Sequence, residues 1–295
     1  MKPLIDLPTI TRLSKQVIRI LGCNPGVMTL QGTNTYLVGT GSKRILIDSG
    51  EAGTADEYIK VLSQVLKDER ATVEHLVITH WHMDHIGGAN AVQNLLNSMS
   101  PTGHNTIWKL PRSPEDEGPS KEEIATNWQP LQDKQIVEVE GAKIIVEHTP
   151  GHATDHASLL LKDEGILFSG DCILGERTAV FEDLQTYIQS LKKILTLKPK
   201  VIYPGHGSII LDPETSINFY IEHRLKREAA ILDILEKHSK SSTLSEMDIV
   251  NHIYTDTSQI MWEAAAYNVL MHLKKLVKEG KVQGEKGKWQ LSNAT

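Results

Sequence analysis

Little in this chain supports covalent cross-linking, a membrane span or a charge-driven grip on nucleic acid. It has two cysteines, Cys23 and Cys172. They define no disulfide framework and fit a reducing compartment. No apolar run reaches the roughly 18 residues of a membrane-spanning helix, so no membrane partner is expected. Lys and Arg number 31 against 37 Asp and Glu, a net charge of −6. No global field therefore draws in a polyanion, and any such contact needs a local basic surface. There is no internal repeat and no low-complexity tract. Lys2, Arg12, Lys15 and Arg19 face only Asp6 in the first stretch, but Pro3, Pro8 and Thr9-Ile10-Thr11 oppose an amphipathic presequence helix. The 295 residues, 40% hydrophobic and 23% charged, suit one large layered domain, alone or with a small companion.

Residues 79–85 read Thr79-His80-Trp81-His82-Met83-Asp84-His85. Three imidazoles and a carboxylate this dense are costly to bury unless something pairs them, and metal ions do so well. The motif follows the β-branched, partly alternating stretch Val73–Thr79, so it emerges from the end of a strand. Ligands commonly sit at such ends in layered α/β proteins. A segment that turns back on itself can aim its side chains at two ions.

Four ligands do not complete two sites, and three later segments share one grammar of strand, turn residues and a single ligand. His152 follows Lys143–Glu147 through Thr149-Pro150-Gly151. Asp171 follows Ile166–Phe168 through Ser169-Gly170, and His206 follows Val201-Ile202 through Tyr203-Pro204-Gly205. Each signal is weak alone; the chain order after the dense motif makes them strong. Cys172 reads as a small buried residue after a strand rather than a ligand. His156, close behind His152 and Asp155, reads as a supporting or core residue, with ligation the alternative. His75, His104, His148, His238, His252 and His272 stand alone and read as structural or surface residues.

These residues resemble the metallo-β-lactamase superfamily of dinuclear hydrolases. The resemblance puts His80, His82 and His152 on one ion and Asp84, His85 and His206 on the other, with Asp171 bridging and Asp48, in Ile47-Asp48-Ser49-Gly50, supporting from behind. It implies a four-layer αβ/βα sandwich and a two-zinc mechanism in which a bridging hydroxide attacks, Asp84 and Asp171 being the catalytic carboxylates. Manganese or iron is a competing occupant. Leu21–Gly26, Met28–Val38, Ser169–Gly175, Tyr203–Gly207 and Asn268–Lys281 are further similar to a subgroup of animal β-lactamase-like proteins. That subgroup is described as endoribonucleases of mitochondria acting on single-stranded RNA. The implied substrate is single-stranded RNA and the implied location the mitochondrial matrix, with the cytosol as the alternative. The rival activity is thioester or other acyl hydrolysis of the glyoxalase II type, which shares the dense motif. An RNA-binding relic and a persulfide dioxygenase, which needs one three-ligand iron site, both fit poorly with an intact double ligand set.

Along residues 1–211, strands are expected at Val17–Leu21, Thr35–Val38, Arg44–Asp48, Val73–Thr79, Ile136–Val139, Lys143–Glu147, Ser158–Leu161, Ile166–Ser169 and Val201–Tyr203. Helices are expected at Ala55–Lys67, Ala89–Ser98 and Thr186–Leu195, and residues 111–124 read as an exposed loop. The texture changes at Asp212-Pro213, an N-cap followed by proline at N1. Within 212–295, Thr243-Leu244-Ser245-Glu246 reads as a capping box, Glu263–Glu279 as an amphipathic helix ended by Gly280, and Val282–Leu291 as a hairpin. Helices then a hairpin describe a winged-helix-like domain. His223, Arg224, Lys274 and Lys278 are candidate substrate contacts. Against this, the segment carries 11 Lys and Arg to 12 Asp and Glu, and outer-face lysines are usually a solvated face. A cap over the site or a homodimer contact is an equal use of this domain.

Overall fold

A computed structural model describes residues 4–100, 104–116, 118–238, 243–255 and 258–292. One sheet holds β1 (Ile10–Arg12), β2 (Val17–Leu21), β3 (Asn34–Val38), β4 (Lys43–Ile47), β5 (Thr72–Ile78), β6 (Thr106–Lys109) and β7 (Trp128–Pro130) in sequential order. The second holds β8 (Ile136–Val139), β9 (Ala142–His148), β10 (Ala157–Leu161), β11 (Ile166–Gly170) and β12 (Val201–Pro204), also in order. The helices of this part are α1 (Ala55–Asp68), α2 (Met83–Ile86), α3 (Ala89–Met99), α4 (Lys121–Ala125) and α5 (Leu184–Leu197).

The alternation of β4 shows why the layers form. Ile45 and Ile47 face the second sheet and pack with Val146, Leu159 and Phe168. Leu46, between them, faces outward onto Tyr58, Leu62 and Leu66 of α1 and Val92 of α3. A strand buried on both faces needs apolar residues at every position, and β2, β10 and β11 are likewise buried throughout. On the far side, α5 and the following helix α6 (Pro213–His238) cover Leu160, Leu167 and Ile202. The four-layer αβ/βα sandwich expected from the sequence is therefore present.

Asp212 Oδ1 accepts from Thr215 N at 3.1 Å, capping α6 as the Asp-Pro pair implied. Then come α7 (Glu246–Ile253), α8 (Trp262–Lys278) and the hairpin β13 (Val282–Glu285) with β14 (Lys288–Leu291). Their own core includes Ile249, Val269, Leu273, Leu276 and Trp289. Helices with a hairpin wing match the sequence reading.

Three local expectations need correction. The capping box of α7 runs from Ser245 to Asp248, not from Thr243 to Glu246, because Ser245 Oγ accepts from Asp248 N and Asp248 answers Ser245 N. Glu246 turns instead to the wing, accepting from Trp289 Nε1 at 3.0 Å. Residues 111–124 are not wholly an exposed loop: α4 starts in them on a capping box of Ser120 and Glu123, and Glu123 is buried. Strands β1, β6 and β7 were also unexpected. They are 3, 4 and 3 residues long, too short to show a period.

Candidate metal centre

The ligand-bearing turns meet at one end of the two sheets. His80 and His82 leave β5, and α2 carries Asp84 and His85. His152 lies between β9 and β10, Asp171 follows β11, and His206 follows β12. Because β4 with β5, and β11 with β12, run parallel, their C-terminal ends gather there. All seven expected metal residues are brought together, in overlapping groups that contain Asp171 with His80 and His85.

The distances fit the group implied. Zinc holds nitrogen at about 2.0–2.1 Å, which separates two tetrahedral ligand atoms by about 3.3 Å. His80 Nε2, His82 Nδ1 and His152 Nε2 form a triangle of 2.9, 3.0 and 3.2 Å. Asp84 Oδ2, His85 Nε2 and His206 Nε2 form another of 3.0, 3.3 and 3.3 Å. Two imidazole nitrogens can share one proton as N–H···N, but in a triangle of three at least one pair must set lone pair against lone pair or proton against proton, a conflict that an ion removes. Asp171 spans the triangles: Oδ1 is 3.4 Å from His85 Nε2, and Oδ2 is 3.4 Å from His206 Nε2 and 3.8 Å from His152 Nε2.

The remote ring nitrogens are held as a ligand set requires. Asp48 Oδ2 lies 2.8 Å from His85 Nδ1 and accepts from Thr79 Oγ1 at 2.9 Å. Thr79 Oγ1 spends its proton there, so at 3.0 Å it accepts from His80 Nδ1, leaving His80 Nε2 free. Asp48 Oδ1 accepts from Thr79 N at 2.8 Å. Asp48 holds this post in the left-handed region, φ 60°, a conformation that costs a non-glycine residue about 1–3 kcal/mol. His152 Nδ1 donates to Val180 O at 2.8 Å.

His156 is excluded from ligation by its own bonds. Its Nε2 accepts from Asp171 N at 3.1 Å, and its Nδ1 faces Thr149 Oγ1 at 3.0 Å. It therefore braces the Asp171 backbone. Asn34 braces the His206 turn: Asn34 N donates to Gly205 O at 2.7 Å, and Asn34 Nδ2 to Pro204 O and Gly207 O, each at 2.9 Å. Cys172 is fully buried and stands apart from the donor groups among the described residues.

Electrostatics divide the histidines. Burial, then the neighbouring imidazoles, push His80 and His82 down, His82 to about 3. Burial also lowers His152, against the pull of Asp171. Burial opposes a proton on His206 too, but Asp171 and Asp84 outweigh it and push His206 up to about 9. His85 is raised well above the usual range by Asp84, Asp171 and Asp48 in the same way.

Gly205 exists here for want of space. A Cβ at this position meets Asp171 Oδ1 at 2.3 Å and the Gly170 carbonyl carbon at 3.0 Å. Gly205→Ala is expected to keep the fold and lower turnover about a hundredfold, the cost of moving a reacting group by about 1 Å. Steady-state rates beside a circular-dichroism spectrum check this.

The candidate substrate residues are not part of the donor groups, which comprise only histidines and aspartates. The Arg224 guanidinium is buried, donates to Ala179 O at 2.7 Å and lies 4.7 Å from the Phe181 ring centroid. It packs α6 against the 174–183 segment. His223 is half-buried beside Phe219, ring centroids 6.0 Å apart. Lys274 and Lys278 are exposed on α8, Lys278 paired with Asp183 at 2.5 Å. Sequence reasoning missed Thr79, Val180 and Gly205. Thr79 was visible as the neighbour of His80; a carbonyl such as that of Val180 leaves no side-chain signal.

The chain belongs to the metallo-β-lactamase superfamily, whose pattern it matches over residues 28–206; residues 245–289 match the β-lactamase-associated winged helix domain. It is 48% identical to a β-lactamase-like protein 2 homolog of Drosophila melanogaster, over 95% of this chain and 94% of that one. A homolog of the same name in Caenorhabditis elegans is 44% identical, over 98% and 94%. An atrochrysone carboxyl ACP thioesterase of Aspergillus fumigatus is 38% identical over 78% of this chain and 68% of its own. Among solved structures, a β-lactamase domain protein from Burkholderia ambifaria shares the fold at a TM-score of 0.79 and 17% identity, covering 97% of this chain and 96% of its own. Members of this superfamily are typically hydrolases, and the buried His/Asp cluster suits a divalent metal.

Proposed function

We propose that the protein is a two-zinc endoribonuclease that hydrolyses phosphodiester bonds in single-stranded RNA. The observation that carries the reading is the pair of three-donor triangles sharing Asp171. Imidazole with a few carboxylates suits zinc, with manganese or iron the competing occupants. When bound, the ions supply Lewis acidity and water activated near neutral pH. The chain's own part is to hold the ligands still. Asp48 and Thr79 fix His80 and His85, Val180 O fixes His152, and His156 and Gly205 fix Asp171. Asp84 is the more open carboxylate, its side chain 23% exposed against 12% for Asp171. We assign it the orientation of the attacking water.

The winged-helix-like segment, taken as residues 212–295 beside a catalytic unit of 1–211, gives a polymer a second surface. A groove of about 450 Å³ runs between α8 and the start of α5, lined by Glu182, Asp183, Met271, Lys274, Val277 and Lys278. Changing Lys274, Lys278, Lys286 and Lys288 to Gln is expected to weaken RNA binding across sequences. Each lost phosphate contact also removes about 0.7 from the log–log salt slope for single strands. Binding isotherms at several salt concentrations read this, and an unchanged slope makes these lysines a solvated face. The proposed location is the mitochondrial matrix, with the cytosol as the alternative; a homodimer is compatible with the reading.

Thioester hydrolysis is the second reading, favoured by the Aspergillus fumigatus relative, which is named a thioesterase. Incubating the protein with labelled single-stranded RNA and with acylglutathione thioesters, with and without chelator, separates the two. Chelator-sensitive RNA cleavage supports the nuclease.

A further inference from the structure

At the turn that carries His152 lies a buried charge cluster that the chemistry does not use. Lys109, the last residue of β6, is fully buried. Its Nζ is 2.6 Å from Asp155 Oδ2 and 2.8 Å from Glu123 Oε1, and it donates to Leu110 O at 3.0 Å. The Trp128 ring centroid is 5.0 Å away. Asp155 is also fully buried and Glu123 nearly so. Three charges out of water are expensive: replacing buried ion pairs with apolar residues is often neutral or stabilising, so they are weak evidence for a stabilising role. Burial pushes the Asp155 carboxyl up to about 6 even with Lys109 beside it.

The place of Asp155 explains the expense. It belongs to the turn between β9 and β10, three residues after His152 and one before His156. That turn presents His152 to one triangle and His156 to the backbone of Asp171. It connects strands of the second sheet, whereas Lys109 belongs to the first. Lys109 therefore ties the His152 turn to the sheet that carries His80 and His82. Its other carboxylate, Glu123, caps α4 and pairs with Arg112 at 3.4 Å, and among the described residues it forms no hydrogen bond or ion pair with the turn.

We infer that Lys109 and Asp155 are positioning residues that set His152 against His80 and His82 across the two sheets, whereas Glu123, bonded to Lys109, Arg112 and the start of α4, is not part of that tie. The inference rests on the two-metal reading. Partners behind a ligand typically change metal affinity 10- to 100-fold when removed.

The test is zinc titration of the metal-free full chain against a chromophoric chelator, with thermal melting alongside. Wild type taking up no zinc overturns the metal reading itself, whatever the variants do. With wild type binding two ions, Asp155→Asn is expected to weaken one of them 10- to 100-fold and leave the other unchanged. Glu123→Gln is expected to lower the melting temperature and leave both affinities unchanged. A merely structural cluster predicts that the two variants behave alike, and that result, or two wild-type affinities in Asp155→Asn, overturns the positioning role. Should Asp155→Asn not fold, Lys109→Met combined with Glu123→Gln removes a positive and a negative charge together and cuts the same tie. It is expected to weaken the same ion, and wild-type affinity for both ions in it overturns the proposal.

Discussion

Asp171→Asn is expected to lower the rate of RNA cleavage by about two to four orders of magnitude while leaving the fold intact. Asp171 is the carboxylate that faces both triangles, within 3.4 Å of His85 and His206 and 3.8 Å of His152. Burial works against its charge, but His206 and His85 hold the carboxyl well below the usual range. The site is therefore built around an anion that stays charged at working pH. Asparagine keeps the shape and the backbone N–H to His156, so the circular-dichroism spectrum should not change. It removes the negative charge and aims an amide, a donor, at atoms that need an acceptor. Single-turnover cleavage of labelled single-stranded RNA, beside metal analysis, measures the loss. A wild type that hydrolyses thioesters rapidly and leaves RNA intact sinks the nuclease reading.

The second large effect is on metal content. Purified protein should carry close to two transition-metal ions per chain, and chelation should abolish hydrolysis. The two sites should also answer acid differently. In the metal-free chain, His206, pushed up to about 9, holds a proton at neutral pH, and Asp84, Asp171 and Asp48 pull His85 in the same direction. An ion entering the Asp84–His85–His206 triangle must displace the proton of His206. Its affinity should therefore fall as pH drops below about 9, by about tenfold per unit for that proton. His80, His82 and His152 are pushed below the usual histidine value by burial, so their triangle meets no such competition near pH 7.

Acidifying from pH 8 to 6 should empty one site well before the other, read by chelator competition at fixed pH. Stability of the metal-free chain carries the matching signs. The raised His206 contributes stability fully present below about 6.5 and lost as pH rises through about 9. The depressed Asp84 and Asp171 contribute stability present above about 3.9 and lost as pH falls further. Active protein with one ion or none, or two affinities of equal pH slope, contradicts this account.

How much was legible beforehand depended on how local each signal is. Ile45, Leu46 and Ile47 announced a strand because adjacent apolar, mostly β-branched side chains suffice to say so; that both its faces are buried was decided by the layers. The dense motif at 79–85 announced metal because no core tolerates it otherwise. Helix α4 was hidden in a stretch rich in proline and glycine, and β7 was too short for a period. The cap of α7 slipped two residues because Thr243 and Ser245 both stand before a helix-forming run, and the choice rests on Asp248 and on Glu246 being drawn to Trp289.

The sequence by itself determined the ligand types, their order along the chain and the strand ends that carry them, since each is a matter of neighbouring residues. How the ligands divide into triangles was implied by the family resemblance, not by the spacing of the residues, and is decided physically by the tertiary structure. His152 and His206 lie about seventy and a hundred and twenty residues beyond the first motif, and no local rule brings them to it. Tertiary packing also decided that His156 is spent on the Asp171 backbone, that Arg224 of α6 is spent on Ala179 O, and that Lys109 reaches Asp155 across the two sheets. These are contacts between segments distant in sequence. A buried donor or acceptor must be satisfied by whatever the fold places beside it, and its neighbour is unknown until the layers close.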